Sequence, residues 1–138
     1  MADVTITAAE VLPTSTTGVE SGIAGATLTA GMPVYKDSTD GNSLKPCDAD
    51  ASASAQCVGI MLCGAADGQR CIYAKTGDID PGFTAVAGEA YAVSTTAGGI
   101  APVSDITTAG DFICILGIAT SASNLRLNIF STTVARAS

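Results

Sequence analysis

The chain has 138 residues and a formal net charge of −7, and about half of it is Ala, Thr, Gly or Ser. The length fits a single domain with a buried core. The absence of His removes the commonest general base and every metal site that contains it. The six basic residues are scattered along an acidic chain, so we predict neither a nucleic-acid interface nor binding to an anionic membrane surface.

Residues 1–30 are rich in small and polar side chains and are predicted to form an extended N-terminal arm. Within the arm, Val4, Thr5, Ile6 and Thr7 alternate as in a β-strand. We expect this segment to contact a partner by adding main-chain hydrogen bonds to the partner's sheet, although a loose tail is the alternative. Deletion of 1–25 is therefore expected to leave the fold intact and to weaken docking.

Short β-type runs separated by Gly, Pro, Asn and Asp follow from residue 31. The run 125–129 alternates strictly between apolar and polar residues, which predicts one buried and one solvated face. The stretch 49–55 is the one helix candidate, and its Ser residues count against it. The predicted strands are 32–36, 57–62, 70–74, 90–94, 113–119 and 125–130.

An internal duplication is the most informative feature of the sequence. We predict a single β domain over 31–138, built from pseudo-repeats at 30–86 and 87–138, with chance similarity as the alternative. Gly31 and Gly88 open the two copies at a turn, and Gly59 and Gly117 are expected at a bulge or a close backbone approach. The matching segments are 30–35, 44–46, 57–60 and 71–73 in the first copy, and 87–92, 100–102, 115–118 and 125–127 in the second. Two such units predict an all-β sandwich or barrel-like domain of roughly eight short strands with long loops.

Catalytic constellations are not apparent, and we predict a non-enzymatic protein without a metal or cofactor. A Ser-His-Asp triad needs His, and no phosphate-binding Gly-rich loop occurs. Carboxylate pairs could hold Ca²⁺ in loops, but solvated turns are the preferred interpretation. These pairs are Asp37 with Asp40, Asp48 with Asp50, and Asp78 with Asp80.

The five cysteines have no spacing typical of a metal site, and reduced thiols are the simplest account. Cys114 lies within an apolar run and is predicted to be a small buried hydrophobe. A disulfide remains an alternative among Cys47, Cys57, Cys63 and Cys71.

The second repeat carries a family resemblance. It contains Gly88-x-x-Tyr91, the turn Gly98-Gly99 before Pro102, the apolar run 115–119 and the alternating run 125–129. This order resembles the C-terminal part of tailed-bacteriophage capsid cement, or head-decoration, proteins. The similarity covers 26–131, while the five cysteines and the polar stretch 48–56 depart from the family pattern.

The resemblance implies a β-tulip or sandwich fold and a structural role in the virion. It implies homo-oligomers, most often trimers although dimers are an alternative, on the exterior of the expanded head after synthesis in the host cytoplasm. Their partner would be the phage major capsid protein, whose neighbouring subunits they bridge and stabilise. The alternatives are a head-fibre or tail-associated virion β domain, and a carbohydrate- or Ca²⁺-binding β module.

Overall fold

A computed structural model describes residues 4–51, 54–105 and 111–135 of the chain. These residues form ten antiparallel β-strands and three single-turn 3₁₀ segments, which confirms the predicted all-β class. The strands are β1 (Val11–Pro13), β2 (Gly18–Ile23), β3 (Pro33–Asp37), β4 (Ser43–Pro46), β5 (Gly59–Met61), β6 (Arg70–Pro81), β7 (Ala90–Val93), β8 (Ile100–Pro102), β9 (Phe112–Ser121) and β10 (Asn124–Ala135).

The predicted strand positions agree with β3, β7, β9 and β10, and β5 is shorter than predicted. β6 extends seven residues beyond the predicted end at residue 74, because Gly77 keeps the chain extended through a local distortion with φ +82°. β1, β2, β4 and β8 were not predicted. The helix candidate at 49–55 is wrong, because its described residues form turns.

β6 divides the strands into two groups. Its first half, up to Thr76, pairs with β2 and β5, and β3 and β4 continue this first sheet. From Gly77 onward it pairs with β1 and β10, and β9, β7 and β8 continue the second sheet. The long strand therefore belongs to both sheets, and it joins them covalently.

The pairing registers show the internal duplication directly. In the first repeat, β3 forms a hairpin with β4 and also pairs with β5, and β5 pairs with β6. In the second repeat, β7 forms a hairpin with β8 and also pairs with β9, and β9 pairs with β10. In the first repeat the residue pairs are Val34 with Pro46, Lys36 with Leu44, and Val34 with Gly59. The equivalent pairs in the second repeat are, in the same order, Tyr91 with Pro102, Val93 with Ile100, and Tyr91 with Gly117.

For the last strand of each repeat, the structural equivalence differs by two residues from the match between the two sequence copies. Met61 pairs with Tyr73, and Ala119, which is 58 residues after Met61, pairs with Leu125. Tyr73 therefore corresponds to Leu125, whereas the alignment had matched Cys71 with it. The cause is the connection, since 62–69 join β5 to β6 but only 122–123 join β9 to β10.

The repeat boundary also moves. β2 pairs with the first half of β6 (Glu20 with Tyr73), as the second half of β6 pairs with β10 (Ile79 with Leu125). β2 is thus the first strand of the first repeat, and its counterpart in the second repeat begins at Gly77. The boundary predicted at residue 87 is corrected to a position inside β6.

The expectation of a separate arm over 1–30 is also corrected. β1 and β2 are hydrogen-bonded along β6, and Val11, Ala24 and Leu28 are buried. Small and polar side chains suit edge strands that are held by main-chain hydrogen bonds, so the composition resembled that of a linker. The expectation that residues 1–25 are dispensable stays a prediction, although these residues include β1 and β2, which pair with β6.

The core has two parts because the first sheet is buried on both faces around β5. Ile60 and Met61 are consecutive in β5 and point to opposite sides. Ile60 packs with Leu125 and Leu127 between the sheets, whereas Met61 packs with Tyr73 and the segment around Leu28. Each fully buried Leu or Ile side chain contributes about 1.5–3 kcal/mol. The second sheet, in contrast, has packed apolar side chains on its inner face, and its outer face leaves Ile118 and Phe130 exposed.

The four singled-out glycines lie at equivalent positions in the repeats. Gly31 and Gly88 precede β3 and β7 with φ of +92° and +87°, as expected for turns. Gly59 and Gly117 lie where strands approach closely: a Cβ would overlap the Ala74 carbonyl and Tyr73 ring at Gly59, and the carbonyl of Arg126 at Gly117. The registers of β9 with β7 and β10 both shift beside Gly117.

The substitution Gly117→Ala is expected to lower the free energy of unfolding by about 1–3 kcal/mol, because the Cβ would overlap backbone that cannot move independently. Gly64→Ala is the matched control, since a Cβ there lies at ordinary contact distance, 3.5 Å from the Leu28 carbonyl. Urea denaturation of both variants measures the difference. Equal midpoints for the two variants would contradict the close approach at Gly117.

Candidate interaction surfaces

The segment Val4–Thr7 lies against its own chain. The Val4 amide donates to the Ile100 carbonyl (2.9 Å) and the Thr7 amide to the Gly82 carbonyl (2.7 Å). Val4 and Ile6 pack against the core between the sheets. The first repeat has the same closure, because Gly25 donates to Leu44, which corresponds to Ile100. The main chain of this segment therefore closes the second repeat, and its predicted contact with a partner's sheet stays a prediction.

The first carboxylate pair is bound to a lysine. Lys45 Nζ lies 2.8 Å from Asp37 Oδ2 and 3.4 Å from Asp40 Oδ2. The second Asp37 oxygen accepts the amide (2.9 Å) and hydroxyl (2.6 Å) of Thr39. The hydrogen bond from Lys45, followed by those from Thr39, lowers the pKa of Asp37 to about 2. These contacts make the loop an ion-paired turn.

The remaining carboxylate pairs also have partners in the chain. Asp78 pairs with Arg126 Nε at 3.0 Å, and the hydrogen bond from Arg126 lowers the Asp78 pKa. Asp80 accepts the Gly82 amide at 3.2 Å, and Asp48 accepts the Asp50 amide at 3.0 Å. Within the described ranges, no group of three His, Cys, Asp or Glu side chains is placed to hold a metal ion.

The five cysteines are free thiols, and four of them are buried. Cys114 is fully buried, as predicted for a small hydrophobe, and packs in the same core as Cys47 and Cys57. Burial raises the pKa of Cys57, whose thiol donates to the Gly59 carbonyl. The buried thiols therefore serve as packing groups.

A cleft of about 350 Å³ opens between the sheets where β6 and β10 diverge. It was not predicted, because its polar residues come from distant parts of the sequence. Tyr73 Oη donates to Glu20 Oε2 at 2.9 Å, and Lys75 Nζ lies 3.4 Å from Glu20 Oε1. The hydrogen bonds from Tyr73 and Lys75 lower the pKa of Glu20, while burial and then the bond to Glu20 raise the pKa of Tyr73 to about 12.

Two surfaces of the strands carry exposed apolar side chains. The first, which we call the first-sheet strip, consists of Val19, Ile23 and Ile72. Val19 and Ile23 flank Ser21 on β2, and Ser21 is opposite Ile72 on β6, so the three side chains share one face. Each is more than 40% exposed. This strip is an uncovered apolar area along one side of the first sheet.

The second surface is the outer face of the second sheet, called the outer face below, where exposed apolar side chains lie among polar ones. Arg126 is opposite both Asp78 and Ile118, which places the three side chains on the side facing away from the core. Ile118 is 52% exposed and Phe130 is 66% exposed. The outer face comprises Leu12, Asp78, Asp80, Ile118, Thr120, Arg126, Asn128 and Phe130.

No protein-family model matches the chain, and a search of curated proteins finds no significant match.

Across the described residues, no helix has the length and apolar character required to cross a membrane.

Acidification is expected to destabilise the protein through Asp37. Its folded pKa of about 2 lies below the ordinary value of 3.8, so its contribution is complete above pH 4 and is lost as the pH falls toward 2. The melting temperature of Asp37→Asn should therefore fall less steeply over this range than that of the unmodified protein. Thermal denaturation from pH 2 to 6 measures the slopes.

Asp67→Asn is the control for the acid titration, because it makes the same charge change at an exposed carboxylate. Its slope should equal that of the unmodified chain. Parallel curves for all three proteins would show that the pairing of Asp37 with Lys45 does not contribute to acid stability.

Proposed function

We propose that this chain is a structural virion protein that binds the exterior of a tailed-phage head and bridges neighbouring major capsid protein subunits. The observation that carries the proposal is the exposed apolar first-sheet strip, together with the exposed Ile118 and Phe130 of the outer face, on so small a domain. Contiguous exposed apolar area on a soluble domain is typical of protein–protein interfaces. Mechanical stabilisation needs such surfaces and no chemistry.

The polar network of the cleft also supports a binding role. Glu20 is engaged by Tyr73 and Lys75, and the high pKa of Tyr73 keeps its hydroxyl protonated at neutral pH. A general base for catalysis needs a pKa near the working pH. The network therefore suits a structural bridge between β2 and β6, and this bridge presents the first-sheet strip as a firm surface.

The family resemblance indicates the major capsid protein as the partner. The segments that resemble head-decoration proteins form β7 to β10, the second repeat of the duplicated fold. We propose homo-oligomers on the capsid exterior that contact the major capsid protein through the first-sheet strip. Trimers are the state that the resemblance favours, and dimers remain open. The strip replaces the segment Val4–Thr7 as the proposed contact, because that segment is bound to its own chain.

Ile72→Ser is expected to weaken binding to undecorated expanded heads at least about tenfold, because it removes the central apolar side chain of the strip. Co-sedimentation with purified heads measures binding, and free coat subunits should not bind. Val86→Ser is the matched control, since Val86 is also largely exposed but lies outside both surfaces.

Absence of co-sedimentation by the unmodified chain would contradict the proposal. Equal binding by Ile72→Ser and Val86→Ser would remove the strip from it. Immunogold label confined to the tail of the virion would instead favour a tail-associated β domain.

A further inference from the structure

The outer face has a buried counterpart within the same chain. Ile118 corresponds to Ile60 and Arg126 to Ala74, as their strand pairings show. Ile60 and Ala74 are both fully buried between the sheets, whereas the side chains of Ile118 and Arg126 are 52% and 66% exposed. The first repeat thus covers this face with a second sheet, and in the second repeat the same face is open.

A shallow depression and an exposed aromatic ring lie beside one another on the outer face. The depression measures about 260 Å³ and is lined by Ile118, Thr120, Arg126 and Asn128. Phe130 follows Asn128 by two residues on β10. Phe130 is not among the residues that line the depression, and it lies about 13 Å along the strand from Arg126.

This arrangement is self-complementary. Consider a two-fold axis that passes beside Asn128, parallel to the sheet and perpendicular to β10. Rotation about this axis places the outer face of a second copy against that of the first. Phe130 of each copy then lies over Arg126 and the depression of the other copy. Asn128 meets its own equivalent on the axis, where each amide can donate one hydrogen bond and accept another.

The chemistry of the opposed groups is favourable. The guanidinium of Arg126 is engaged at its edge by Asp78 (3.0 Å), which leaves its flat face for the ring of Phe130. Ile118 supplies apolar contact beside the ring. Because Arg126 is already neutralised by Asp78, burial of this pair does not leave an uncompensated charge. Two copies therefore fit each other without a like-charge contact between the two arginines.

We propose that the outer face is a two-fold interface between two copies of this chain, in which Phe130 of each copy occupies the depression of the other. The proposal rests on the homo-oligomer that the proposed function includes, and it commits that homo-oligomer to the dimer rather than to the trimer that the resemblance favours. It assigns that oligomer a surface separate from the first-sheet strip, so self-association and capsid binding can be tested independently.

The test is the molar mass in solution, measured by sedimentation equilibrium over a range of concentrations. The unmodified chain should dimerise, and Phe130→Ser should raise the dimer dissociation constant at least about tenfold. Phe130 is largely exposed in the single chain, so this variant should retain its circular dichroism spectrum. Val86→Ser, which removes another exposed hydrophobe, should dimerise as the unmodified chain does.

Asn128→Cys gives a second readout that does not depend on affinity. Two thiols on a two-fold axis should form an intermolecular disulfide on mild oxidation, whereas Val86→Cys should not. A monomer at all concentrations, a trimer, or a dimer that Phe130→Ser leaves unchanged would each overturn the interface. Loss of head binding by Ile72→Ser with the dimer intact would separate the two surfaces; failure of head binding alone would leave the dimer standing.

Discussion

The structure depends on one strand that serves two sheets. β6 is twelve residues long, and its first half completes the first repeat while its second half begins the next. The change occurs at Gly77, where φ is +82° and a Cβ would overlap the main chain at Thr16. Because the two repeats share a covalent strand, neither can move away from the other without breaking hydrogen bonds in both, and the core between them forms as a single unit.

The sharing of β6 also explains why the domain is asymmetric. Around β5 the first sheet is covered by the second on one face and by the segment around Leu28 on the other. The second sheet is the last layer, and a third layer within the chain would be needed to cover its outer face as Ile60 is covered. Ile118 and Phe130 are left exposed for this reason. The exposed outer face is thus a consequence of how the two described repeats are arranged.

The sequence predicted the class, the duplication and most strands of the second repeat, because alternation and glycine spacing are local signals. It did not predict β2, in which only the exposed Val19 and Ile23 are large apolar residues and whose stability comes from main-chain bonds to β6. Nor could it predict the contact of Glu20 with Tyr73 or the position of Arg126 beside Ile118, because these depend on register between distant segments. The sequence did predict the close backbone approach at Gly117, because strands that approach so closely leave no room for a side chain and therefore select glycine.

The central claim is that β2, although its composition is that of a linker, is an integral strand of the first repeat. Native-state amide hydrogen exchange tests it most directly, since exchange reports the free energy of local opening. The amides of Gly18–Ile23 that face β6 should exchange only through global unfolding, with opening free energies within about 1 kcal/mol of those in Arg70–Pro81. Rapid exchange in Gly18–Ile23 while β6 stays protected would show a detachable arm and contradict the account.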